Sequence, residues 1–288
     1  MTGLEVPIFS PASARAALSR GATRLEINRA GSYPQGGLTP AECEVEPLSD
    51  SPVPLRIMIR PRGPPAGGEP DFVYSDPELA EMRDAVLRFK GSGQLRPERG
   101  DGFVFGALRE VQPPAAAGAG GRRRARVAVH VGANRELVRL ARPFACVFHR
   151  AFDDVLGSSS SEGRVGGGDA GPSAVVVVED ALQAVADCGF DGILTSGGPG
   201  SAVDNIEALS RVLQLAGRPG GAGLEIIVGG GVRSSNVGLL RGGLLGASAS
   251  GGSSRIWFHS SCLTARSGAD VDEEEVDKIV SALSGTSV

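Results

Sequence analysis

A chain of 288 residues with 41 % apolar residues can bury a core large enough for one sizeable α/β domain. Its 29 Lys and Arg against 33 Asp and Glu leave a net charge of −4, which argues against a general nucleic-acid binder. The four Cys include no CxxC pair, and there is neither an 18-residue apolar run nor a basic leader. The expectation is therefore a cytoplasmic protein with no disulfide framework and no membrane span.

Leu4–Phe9 reads as a first strand. Ser10 caps the helix that follows, Pro11 suits its first position, and Ala12–Arg20 carries it to Gly21. Arg24–Asn28 and Leu55–Arg60 read as the second and third strands. Between them, Thr39–Asp50 is too short, acidic and Pro-broken for a full helix. Asp76-Pro77 opens a helix to Lys90. Gly102–Gly106 is the fourth strand, Asn134–Ala141 a helix, and Ala145–His149 the fifth strand. Val175–Cys188 suits a helix, at least from Glu179. Gly192–Thr195 is the sixth strand, Ser201–Leu215 a helix, and Glu225–Val228 the seventh strand. Ser235–Arg241 is a short helix and Arg255–His259 the eighth strand. Asp272 and Glu275 form a capping box for a last helix ending at Gly285.

The 43 Gly and 19 Pro far exceed the roughly 35 expected at average usage. Much of the excess lies in Pro64–Pro70, Pro113–Arg126, Gly157–Pro172 and Arg218–Gly223, which lack apolar periodicity. Residues 113–126 and 157–172 are expected as Gly-rich surface insertions in a single domain spanning 1–288. Arg122, Arg123, Arg124 and Arg126 read as a solvated loop, because no aromatics are interleaved with them.

Eight alternating strand–helix units imply parallel pairing and the size of a TIM-type (β/α)8 barrel, an α/β fold. A doubly wound sheet is less consistent, because the first strand runs into Ser-Pro-Ala and not into a glycine-rich dinucleotide turn. Strand parity then places the polar groups. Aliphatics alternate with Glu5, with Glu26 and Asn28, with Arg60, and with His259, so these polar residues turn inward while the aliphatics face the helices. Glu26 and Arg60, on adjacent strands with inward parity, are expected to pair. Arg60, Asn28, His149 and His259 also fall at strand C-terminal ends, where barrel active sites lie. A buried ion-pair network that only sets register would give the same pattern.

A candidate polar site therefore comprises Glu5, Glu26, Arg60, Arg62, His149, Arg150 and Asp153. Glu5 or Glu26 would act as acid or base, Arg60 and Arg62 as anion clamps, and His149 as proton carrier. Thr195, Ser196 and Gly197 after the sixth strand, Gly229, Gly230 and Gly231 after the seventh, and His259 form a candidate anion site. Glycine backbone there can cradle a phosphate, or simply permit tight turns.

Taken together, Leu4-Glu5-Val6, Arg24-Leu25-Glu26, Gly36–Pro40, Met58–Gly63, Phe103–Leu108, Phe148–Asp153, Ile193–Gly197, Gly229–Val232 and Phe258-His259-Ser260 resemble the copper homeostasis protein CutC family, in family order. The resemblance implies a TIM-type barrel, an intracellular homo-oligomer, and copper as the bound ion. The family usually carries a cysteine where this chain has Pro7 and another where it has Asn28. Cu(I) prefers thiolate and thioether donors, so no metal ligands are assigned here and weak Cu(I) affinity is expected. Only Met58, Cys146, His149 and His259 are left as further donors near the lumen. Three functions stay open: a CutC-like copper protein, an enzyme acting on a small anionic or phosphorylated metabolite, and a non-catalytic oligomeric scaffold.

Overall fold

Parity does set the first strand. Leu4, Val6 and Ile8 of β1 (Gly3–Ile8) are buried against the helices, and Glu5 is buried on the other face. The computed structural model describes residues 2–111, 126–159, 174–218, 223–245 and 256–285. Ser10 caps α1 (Pro11–Ser19) by accepting from the Ser13 amide. Next come β2 (Arg24–Ile27), a one-turn α2 (Glu42–Val45), β3 (Leu55–Met58) and α3 (Asp76–Gly91). β4 (Gly102–Phe105) is followed by β5 (Leu108–Val111), β6 (Arg126–Val129), α4 (Val131–Ala141) and β7 (Ala145–Phe148). α5 (Ala151–Ser159), α6 (Ala174–Asp187), β8 (Gly192–Thr195), α7 (Ile206–Ala216), β9 (Glu225–Val228), α8 (Val237–Leu245), β10 (Ile256–His259) and α9 (Glu273–Ser284) complete the order.

Eight strands close into a parallel barrel in the order β1-β10-β9-β8-β7-β4-β3-β2. All eight are the strands expected from the sequence. Gly102 shows how tightly they approach: a Cβ there would lie 2.1 Å from the Ala145 carbonyl oxygen on β7. The main core lies between barrel and helices and includes Val6, Leu25, Ile57, Phe103, Cys146 and Phe258. Cys146 is thus outside the lumen, contrary to expectation, because its neighbour Val147 takes the inward parity.

Two elements depart from the sequence reading. β5 and β6 pair antiparallel, with Leu108 opposite Val129, beyond the end of β4. The 113–126 insertion connects them. Arg126 begins β6, and the rest of that stretch lies outside the described residues. Of the expected insertion at 157–172, Gly157 to Ser159 finish α5, and 160–172 lie outside the described residues. α5 forms because Phe152, Val155 and Leu156 lie at helical spacing and are buried together. Among the described residues, no helix is long and apolar enough to cross a membrane.

Candidate functional site in the barrel lumen

Register decides which inward side chains meet. Glu5 lies opposite Arg24 on β2 and opposite His259 on β10, and Glu26 lies opposite Pro7. At the N-terminal end, Arg24 donates Nε to Glu5 at 2.5 Å and Nη1 to Glu225 at 2.6 Å, and its guanidinium stacks 3.9 Å from the Trp257 ring centroid. Above this floor the lumen has two sides. Met58, Val104, Val147, Leu194 and Ile227 form an apolar wall with Trp257. On the other side, Glu5, Glu26 and His259 bring one ligand atom each to within 4.8 Å of one another, the one group of this kind among the described residues.

The three titratable groups are shifted in different ways by their surroundings. Burial alone would raise the Glu5 carboxyl, but Arg24, His259 and Arg56 outweigh it and hold it at about 2. Burial raises Glu26, and the neighbouring Glu5 charge adds to the effect. Burial also opposes charge on His259, yet Glu26 and Glu5 overcome it and raise its pKa. The His259 Nδ1 lies 2.7 Å from Glu5 Oε1. At 14 % side-chain exposure His259 reaches solvent, whereas Glu5, at 1 %, does not.

The expected Glu26–Arg60 pair does not form. Glu26 lies opposite Arg56, so Arg60 is four residues further along, about 13 Å at the usual strand rise. Arg60 instead pairs with Asp71 at 2.8 Å and donates to the Gln35 and Gly37 carbonyls. Glu26 Oε1 accepts from Asn28 Nδ2 at 3.0 Å. Arg62 lies outside the lumen cluster, bonded to Glu78 and to the Asp71 and Val73 carbonyls. His149 is buried against Phe72, and burial together with Arg60 lowers its pKa to about 3, so it stays neutral.

The glycine turn after β8 does cradle an anion, and that anion is the chain's own Asp153. Its carboxylate accepts from Thr195 Oγ1 at 2.5 Å, from the Ser196 amide at 3.0 Å and from the Gly198 amide at 3.2 Å. Arg150 binds its second oxygen at 2.9 Å. Gly197 stands in the same turn at φ +82° and donates its amide to Thr195 Oγ1. After β9, Gly229 donates to the Thr195 carbonyl, and Gly230 and Gly231 both adopt positive φ. A Cβ on Gly230 would come within 2.8 Å of Ser196 Cβ. Above this turn a cavity of about 1340 Å³ opens at the C-terminal mouth, walled by Arg60, Phe72, Glu110, Arg150 and Pro199.

Sequence reading missed Arg24, Glu225 and Trp257 in the floor and Asp71 beside Arg60. Arg24 shares the parity of Glu26, so the same alternation identifies it. Asp71 is in a loop, where no periodicity reports position.

A family model described as the CutC family matches residues 2–163 and 173–251. A Caenorhabditis elegans protein named copper homeostasis protein cutC homolog is 30 % identical over 278 residues, covering 96 % of this chain and 86 % of that one. A Homo sapiens protein of the same name is 29 % identical over 238 residues, covering 81 % and 67 %. Among solved structures, the putative copper homeostasis protein CutC from Streptococcus agalactiae aligns with a TM-score of 0.62 at 20 % identity, over 90 % of this chain and 98 % of that one. Phosphoribosyl anthranilate isomerase from Thermotoga maritima aligns at 0.51 and 13 % identity, over 99 % and 100 %. These two structural likenesses show a shared fold.

Proposed function

The chain belongs to the CutC family, and we propose that it serves copper homeostasis through a ligand site in the barrel lumen. The relatives' names support the role. The convergence of Glu5, Glu26 and His259 supports the place, and it is the observation that carries this reading. His259 is partly exposed, whereas Glu5 and Glu26 are buried.

The thiols present do not fit a Cu(I) centre. Cys43 is exposed, and Cys146, Cys188 and Cys262 are buried. Burial pushes those three up to about 12, 11 and 11, which keeps them protonated and poor as ligands. Pro7 offers no donor. The role therefore rests on oxygen and nitrogen groups. In cells lacking their own copy of this gene, the wild-type chain should restore growth on copper, and Glu26→Gln and His259→Gln at equal expression should not. Full rescue by both variants would remove the lumen from the account.

A second reading, an enzyme acting on a small anionic metabolite, is favoured by the 1340 Å³ mouth cavity with Arg60 and Arg150 in its wall. It predicts that a phosphorylated compound raises the melting temperature of the wild type and not that of Arg150→Ala. Equal shifts in both proteins would count against it.

A further inference from the structure

We infer that the lumen cluster is a site for a divalent cation, Zn²⁺ or Mn²⁺, built from Glu26, Asn28 and His259 with Glu5 orienting the imidazole. The inference rests on reading the lumen cluster as the ligand site.

Two buried oxygens carry it. Glu26 Oε2 and Asn28 Oδ1 have no hydrogen-bond partner, although both residues are only 3 % exposed. Buried acceptors are nearly always satisfied, so a pair left open on two residues two positions apart marks a place prepared for a positive group. Asn28 Nδ2 donates to Glu26 Oε1, which leaves its carbonyl oxygen as the free end. The nearby Arg24 gives Nε to Glu5 and Nη1 to Glu225, and its Nη2, also buried, makes no hydrogen bond to Glu26.

The imidazole completes the pattern. A ligating histidine typically gives its other ring nitrogen to a carboxylate, which sets its tautomer. Glu5 Oε1 stands 2.7 Å from His259 Nδ1 and leaves Nε2 for a ligand. The loop after β2 presses on the same spot. A Cβ on Gly37, at φ +86°, would fall 2.1 Å from Asn28 Oδ1, so only glycine lets the chain pass there.

Donor chemistry selects the ion. Imidazole suits Zn²⁺ and carboxylate and amide carbonyl suit Mn²⁺, whereas Cu(I) wants thiolate or thioether. Among the described residues of the lumen wall, Met58 supplies one thioether and no thiolate accompanies it.

The test is isothermal titration of chelator-stripped full-length protein with Zn²⁺ and with Mn²⁺, alongside a Cu⁺ competition under reducing conditions. We expect one equivalent of Zn²⁺ or Mn²⁺ to bind, with affinity falling at least tenfold in Glu26→Gln. Should Glu26→Gln fail to fold, the isosteric Asn28→Asp decides, because an added carboxylate should tighten binding about tenfold. Absence of saturable uptake by folded wild type overturns the inference, as does unchanged or weaker affinity in Asn28→Asp. Metal uptake without copper rescue in cells would keep this site and remove the copper role. Rescue without uptake would do the reverse.

Discussion

Replacing Glu5 by Gln takes the charge partner from a buried guanidinium. The Arg24 and Glu5 side chains are 2 % and 1 % exposed and meet at 2.5 Å. Stranding one member of such a pair costs about 3–5 kcal/mol. Arg24 keeps Glu225 at 2.6 Å and its stack on Trp257, which places Glu5→Gln near the lower end, about 3 kcal/mol. Linkage gives the same order. The Glu5 carboxyl is held at about 2 against an ordinary 4.5. A depressed acid contributes stability above its unfolded pKa and loses it as pH falls toward the folded value, here on the order of 3 kcal/mol. Arg24→Met strands both Glu5 and Glu225 and should cost more, about 4–5 kcal/mol. The double variant leaves neither Arg24 nor the Glu5 charge, so its cost should fall short of the sum by about 2 kcal/mol. Urea unfolding of the four proteins by circular dichroism, with m-values compared, measures the cycle. Additivity within about 0.5 kcal/mol would refute the buried contact.

His149 is held neutral at about 3 against an ordinary 6.5. Below 6.5 the unfolded chain takes a proton that the folded chain refuses, so stability is lost on acidification. Wild type should lose about 2 kcal/mol more than His149→Gln between pH 8 and pH 5, and parallel pH profiles would contradict this. Asp153→Asn strands the donors of Thr195, Ser196 and Gly198 and should destabilise by about 2–3 kcal/mol, read from the urea midpoint. A Gly37→Ala side chain would strike Asn28 Oδ1, so it should weaken cation binding without touching a charged group, as titration would report. Asn28→Cys should raise Cu(I) affinity over a weak wild type in a chelator competition, and tight stoichiometric Cu(I) binding by the wild type would refute the donor-set argument.

The barrel was legible because its signals are local. Each strand is a short aliphatic alternation, and Ser10 and Asp272 do cap the helices that follow them. Parity also brought Glu5, Glu26 and His259 to one lumen correctly. Register was not legible. Nothing in the segments says that Glu26 faces Arg56, and the four-residue offset leaves Arg60 to pair with Asp71. Nor could glycine composition say what occupies the Thr195–Gly198 turn: a carboxylate 42 residues away in sequence fills it. The β5–β6 pair was hidden because its two strands flank the glycine-rich insertion and pair antiparallel, outside the strand–helix alternation.

The lumen site itself is tested most directly by a crystal grown with Zn²⁺ and measured for anomalous scattering at the zinc edge. A single strong peak bounded by Glu26, Asn28 and the His259 imidazole, absent from Glu26→Gln crystals, is the predicted result. A peak on Cys43 or at the protein surface, with the lumen clear in the wild type, would contradict it.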